Sequence, residues 1–318
     1  MKKIALIGAL MVLVLSCDKK SKIENEIEEI PIEIKVDRFD KAFFETAPQD
    51  LPKLKSQYPF FFPSGNDDSV WLEKIQNPQW RELYSEVQKK YPNFDTETEQ
   101  IEELFQHIKF YFPQTKTPKV FTVIADMDYQ NKVLYAKNTV IICLELYLGK
   151  DHKFYEFPVY IKQNFTQSQI LPDIVSVFAD KKIAYPTDPT LLSQMIYAGK
   201  KLYLADLLIP KTSDDTKIGY TPEQIKWCEE NENEIWTYFI KKQLLYDTDQ
   251  KLIPRFINPA PFSKFYLDLD NESPGRVGVW IGWQIVRSFM ENNDVSVEQL
   301  TQMNAKELFE KSKYKPKK

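Results

Sequence analysis

Ser273-Pro274-Gly275-Arg276-Val277-Gly278-Val279-Trp280-Ile281-Gly282-Trp283-Gln284-Ile285-Val286 is the stretch that decides how this chain folds. Its apolar residues recur at helical spacing, so a long helix is expected over 276–291. Gly278 and Gly282 fall on one face, where absent side chains let another backbone approach. Trp280, Trp283, Ile285, Val286 and Phe289 cover the remaining sides. Each glycine costs a helix about 1 kcal/mol relative to alanine. Close packing or a ligand must offset that cost, and a tightly packed core is the simpler use. Arg276 opens the helix, where a cation opposes the helix dipole. A carboxylate partner is therefore expected for it, and Glu272 stands beside it in sequence.

Outward from this helix the pattern is mainly helical. Val36, Phe39 and Phe43 share a face, and Pro78 opens a helix carrying Trp80, Leu83, Tyr84 and Val87. Thr96 to Glu99 fits a capping box, followed by Ile101, Leu104, Phe105 and Ile108 at helical spacing. Residues 119–148 change character. Val120 to Ile124, Val133 to Ala136 and Thr139 to Leu146 are β-branched and aromatic runs, the last two at hairpin spacing around Lys137-Asn138. The expectation is a small, mostly antiparallel sheet near the middle of the chain. Helices return at 168–182 and from Thr187-Asp188-Pro189 to Leu208. Thr221-Pro222-Glu223-Gln224 is an N-cap with a capping box, and short helices close the chain at 296–302 and 305–312. The fold class is α+β, mainly helical.

The N-terminus reads as an export signal. Lys2 and Lys3 precede an apolar run from Ile4 to Leu15, shorter than the about 20 residues that span a bilayer. Val14-Leu15-Ser16-Cys17 has the pattern of a bacterial lipobox, so Cys17 is the expected lipidation site. The chain then divides into a signal peptide at 1–16, a charged tether at 17–31, one globular domain at 32–312 and a basic tail at 313–318, expected to be solvated and disordered. Removing the signal takes the formal charge from -4 to -6, which argues against nucleic acid as a partner. Cys143 and Cys228 read as small buried apolar residues.

Tests for chemistry return little. The two histidines, His107 and His152, stand in no H-E-x-x-H motif. Asp268-x-Asp270-x-Glu272 opens like a calcium loop but carries Ser273 where glycine is required and Val279 where the closing Glu belongs. There is no G-x-S-x-G elbow and no glycine-rich phosphate loop. No catalytic residue, metal or cofactor is assigned.

The residues resemble the gliding-motility lipoprotein GldB family of Bacteroidetes. The likeness rests on Ile34-Lys35-Val36-Asp37-Arg38-Phe39-Asp40, on Met195-Ile196-Tyr197-Ala198-Gly199-Lys200-Lys201-Leu202-Tyr203, on Ala260-Pro261-Phe262-Ser263-Lys264 and most of all on the 273–286 stretch. It implies a cell-envelope protein needed for surface gliding, in a lineage where gliding is bound up with type IX secretion. A weaker likeness is to predicted zinc-dependent proteases, which follow the same order of elements. Those carry H-E-x-x-H on the first helix after the sheet, and many carry an acidic residue before the glycine matched by Gly199. Here the helix reads Leu171-Pro172-Asp173-Ile174-Val175-Ser176-Val177-Phe178 and the other position is Ala198. Catalytic zinc needs three protein ligands and an open position, so the likeness implies a degenerate zincin-like scaffold without its metal.

The expected function is a non-catalytic, periplasm-facing lipoprotein held to the membrane through Cys17, with the outer membrane favoured, and with partners in the gliding and secretion apparatus. Tyr197, Lys200, Tyr203, Glu272, Arg276, Trp280 and Trp283 are the expected lining of a binding groove. The rivals are a hydrolase with an unrecognised site and a peptidoglycan-binding module, the latter suggested by six Trp and 17 Tyr.

Overall fold

The computed structural model describes residues 15–268 and 270–317, with side chains from residue 22 onward. The expected export signal at 1–16 lies almost wholly outside the described residues, as does the side chain of Cys17.

The N-terminal segment departs from a free tether. Helix α1 (Leu15–Glu28) runs through most of it, and Ile27 is 1% exposed. Helices α2 (Phe39–Glu45), α3 (Leu51–Gln57), α4 (Asp68–Gln76), α5 (Pro78–Lys90) and α6 (Asp95–Tyr111) follow. Gln106 of α6 donates to Glu28 O and Ile30 O, and Glu102 accepts from Ile34 N at 2.8 Å. The fold therefore begins before Ile32, on sparse isoleucines set among charges. The N-cap of α6 is Phe94 with no side-chain cap, so the box expected at Thr96–Glu99 does not form. The Thr98 hydroxyl donates back to Phe94 O instead.

Strands β1 (Val36–Asp37), β2 (Lys119–Val123), β3 (Val133–Ala136) and β4 (Thr139–Cys143) make one sheet in the order β1-β2-β4-β3. The β1–β2 and β2–β4 ladders are parallel, and only β3–β4 is antiparallel. The sheet is mixed rather than mostly antiparallel. Hairpin spacing reveals the local β3–β4 pair, whereas the parallel pairs join strands separated by β3 or by five helices. The unbroken apolar run in β4 fits its central place, buried on both faces. The buried Asp40 carboxylate ties this layer together. It accepts from Arg38 Nε and Nη2 at 2.9 and 2.8 Å, from Gln88 at 2.8 Å and from the Thr122 hydroxyl at 2.5 Å. A buried charge is tolerable only when so fully satisfied.

After α7 (Val159–Lys162), helix α8 (Ile170–Lys182) lies against β3 and against α9 (Leu191–Leu208). Then come α10 (Asp214–Ile218), α11 (Pro222–Glu230), α12 (Glu232–Lys241), α13 (Leu252–Phe256), α14 (Val277–Asn292), α15 (Val297–Gln302) and α16 (Ala305–Ser312). Two apolar cores result. One joins the sheet to α2–α6 and α8, and the other surrounds α14. Helix α9 belongs to both, with Leu204 and Leu208 in the first and Met195 and Ile196 in the second.

The basic tail, expected to be free, is docked. Glu232 accepts from the Tyr314 hydroxyl at 2.8 Å and from Lys317 N at 3.2 Å, and Tyr314 meets the Trp236 ring edge-on. Burying one tyrosine against a buried carboxylate outweighs the solvation of the surrounding lysines.

Candidate binding cleft

A cleft opens between the two cores. Its walls are α8, α9, the turn after α10, the segment after α13 and the N-terminus of α14. It has two adjoining lobes of about 410 and 510 Å³ that share Lys132, Asn164, Gly219 and Arg276. Gly219 sits at φ +73°, which favours glycine there, and Asn164 packs against it, with Nδ2 2.7 Å from where a Cβ would stand.

Most cleft cations are neutralised. Lys132 Nζ lies 2.6 Å from Asp173 Oδ2, which also accepts from the Tyr147 hydroxyl at 2.8 Å. Lys201 Nζ and the Tyr197 hydroxyl both donate to Asp180 Oδ1 at 2.6 Å. Lys217 reaches Asp206 at 3.0 Å and Asp214 at 3.4 Å. Those two aspartates are clasped by Arg287, whose guanidinium lies over the Trp283 ring at 3.8 Å. Burial pushes the Asp214 carboxyl up, but the Arg287 and Lys217 contacts outweigh it and hold the group below its ordinary range.

Arg276 differs. It is the N-cap of α14, in the left-handed region at φ +67°, which costs a non-glycine residue about 1–3 kcal/mol. Its Nη1 donates to Ile218 O at 2.8 Å. Among the described residues it has no ion-pair partner, and burial lowers its pKa. The carboxylate expected at Glu272 is not there, because Glu272 ends an exposed single turn of helix. The neighbouring Asp270 caps its own loop, accepting from the backbone N–H of Phe265, Tyr266 and Leu267.

Of the residues expected to line a groove, Tyr197 and Arg276 meet at this cleft. Lys200 turns the other way. Its Nζ donates to Met303 O at 2.6 Å and Thr301 O at 3.4 Å, beside a separate 220 Å³ pocket, and burial pushes its pKa down to about 8. Tyr203 is half-buried against the second core, and burial pushes its hydroxyl up to about 12. Trp280 and Trp283 are core residues at 3% and 0% exposure, and Trp283 Nε1 donates to Asp206 at 2.9 Å. Helical spacing finds a face but does not tell a wall of the core from a wall of a cleft. The residues missed were Lys132, Asn164, Asp173 and Lys201. Asp173 and Ser176, three apart on the apolar helix α8, were the available signal.

Among the described residues no group of three or more His, Cys, Asp or Glu is placed to hold a metal. His107 is buried beside Glu24, with its pKa lowered by burial, and His152 lies 3.5 Å from Glu86. Cys143 and Cys228 are buried and unpaired.

The molecule is thus a mainly helical α+β protein with a cleft whose lining, among the described residues, holds one uncompensated cation. The chain belongs to the gliding motility protein GldB family, whose profile matches residues 20–316. Membership carries a role in gliding motility and the character of a cell-envelope lipoprotein. No curated protein and no solved structure matches the chain. No helix among the described residues is long and apolar enough to cross a membrane.

Proposed function

We propose that the protein serves gliding as a non-catalytic binding component, anchored through Cys17 and acting through the cleft at Arg276. The observation that carries this reading is that, among the described residues, Arg276 has no ion-pair partner in a cleft whose other cations are paired. Backbone strain of this kind clusters at ligand-binding sites. The stretch 171–178 contributes Pro172, Asp173, Val175 and Ser176 to the cleft, and α9 contributes Ala198. These are the segments in which the likened proteases keep their metal chemistry. No histidine or cysteine is among the cleft residues. The six tryptophans are all buried or half-buried, so their number lends no support to a glycan platform.

The anchor places the domain close to a bilayer, since α1 takes up most of the expected tether. Asp18 is followed by Lys19-Lys20-Ser21-Lys22 rather than by an acidic run, which favours the periplasmic face, with the outer membrane ahead of the inner. Components of the gliding and type IX secretion apparatus are then the partners within reach.

Two measurements test this reading. Protein purified without chelator should hold no stoichiometric zinc, and stoichiometric zinc would overturn the non-catalytic assignment. A photo-crosslinker at Ala198 should yield a discrete adduct in gliding cells that Arg276→Lys removes. An adduct pattern no different from one at exposed Val159 would contradict the assignment of the cleft.

A further inference from the structure

We propose that the cleft at Arg276 takes a monoanionic carboxylate carried on an apolar group. This rests on the cleft being the binding surface, and it names the chemistry of the occupant.

The charge of the site selects the anion. Lys132 is matched by Asp173, and Lys201 by Asp180. Lys217 and Arg287 are matched by Asp206 and Asp214. The surplus around the cleft is therefore one positive charge, on Arg276. A monoanion cancels it. A phosphate dianion would leave an excess negative charge in a partly dehydrated cleft that already holds Asp173. The shape of the donor agrees. With Nη1 engaged on Ile218 O, the Nε and Nη2 edge of the planar guanidinium is left to meet two oxygens in parallel, the geometry of a carboxylate. The first N–H of α14, on Val277, is already bonded to Ser263 Oγ at 3.2 Å, so selectivity rests on the side chain. Ile218, Ile253, Ile257, Pro259 and Val279 give the cleft that holds Arg276 an apolar part of its wall, among polar residues that include Asn164, Asp173 and Asn258. A bare inorganic anion would leave that wall wet, whereas the end of a peptide or an aliphatic acid would cover it.

The test uses the full chain in detergent micelles with ¹⁵N-labelled arginine. The chain has five arginines, and the Arg276 Nε–Hε resonance is the one lost in Arg276→Lys. N-acetyl-L-leucine should shift that resonance saturably, and N-acetyl-L-leucinamide should not. Tighter binding of N-acetyl-L-leucine than of hexanoate assigns the carboxylate to a peptide end, and the reverse assigns it to an aliphatic acid. Both support the site. Asn164→Asp, a near-isosteric change in the shared wall, cancels the surplus charge and should weaken the acid roughly tenfold or more. Equal shifts by acid and amide, tighter binding of inorganic phosphate, or unchanged affinity in Asn164→Asp would overturn the proposal. Binding of the acid without an Ala198 adduct in cells would leave this inference standing and remove the functional reading. The opposite pair of results would do the reverse.

Discussion

Gly199 of α9 and Gly282 of α14 meet backbone to backbone: a Cβ on Gly199 would lie 2.3 Å from Gly282 O. A Cβ on Gly282 would lie 2.1 Å from Met195 O. This contact sets how closely α9 and α14 approach, and both helices contribute to the cleft wall. In an unpacked helix, Gly→Ala stabilises by about 1 kcal/mol. Here the clash is with backbone, which cannot turn aside. Gly199→Ala and Gly282→Ala should each destabilise by about 3 kcal/mol or more, read by urea unfolding. A neutral or stabilising result would mean the helices are free to separate.

The Asp206–Arg287 pair holds α9, α10 and α14 together. Asp206 accepts from Arg287 Nε and Nη2, from Trp283 Nε1 and from Lys217. The Arg287 and Asp206 side chains keep 25% and 16% exposure, so solvent screening reduces the loss expected of a fully buried pair. Asp206→Asn should cost about 2 kcal/mol. Asp214 has a lowered pKa when folded, so its share of stability is present above its ordinary 3.8 and fades as pH falls through the folded value. The gap between wild type and Asp214→Asn in acid titrations followed by circular dichroism should close below that pH.

Glu145 shows the opposite sign. Its carboxylate is completely buried at the end of β4 without a hydrogen bond of good geometry, and burial pushes its pKa from 4.5 to about 7. The folded state holds this proton more tightly than the unfolded chain, so stability falls as pH rises from 4.5 to about 7. That shift corresponds to a penalty on the order of 3 kcal/mol above neutrality. Glu145→Gln should therefore stabilise the protein at pH 8 and change little at pH 4, read as thermal midpoints. An equal effect at both would show that folding does not raise the Glu145 pKa.

Lys200 caps α15 from below rather than serving the cleft. Its pKa of about 8 means the cost of burying the ammonium is full below that pH and relieved as pH rises toward 10.5. Wild-type stability should climb across this window, and Lys200→Met should lack the climb. Its affinity for N-acetyl-L-leucine should match wild type, because Lys200 turns away from Arg276.

How much of this was legible in the sequence follows the range of the interactions. The Thr221–Gln224 box and the Ser296 start of α15 form as the local pattern dictates. The turn at Lys137-Asn138 and the glycine face of α14 are equally local, and each is where expected. The parallel partners of β2 were not legible: β1 lies 84 residues away, and β4 lies 20 residues on, beyond an intervening strand, so neither ladder leaves a hairpin signature. Nor was the cleft. Tyr197 and Lys200 are three apart on one helix, yet one faces Asp180 and the other the end of α15. Arg276 was visible as a cation in an unfavourable place. Only the fold shows that no side chain among the described residues comes to neutralise it.

The most direct test of the central claim is single-cell gliding speed at matched protein levels in cells carrying Asn164→Asp or Arg276→Lys, with Glu145→Gln as a folded control. The cleft account predicts that both cleft variants lose gliding while Glu145→Gln moves normally. Wild-type speed in both cleft variants would contradict it.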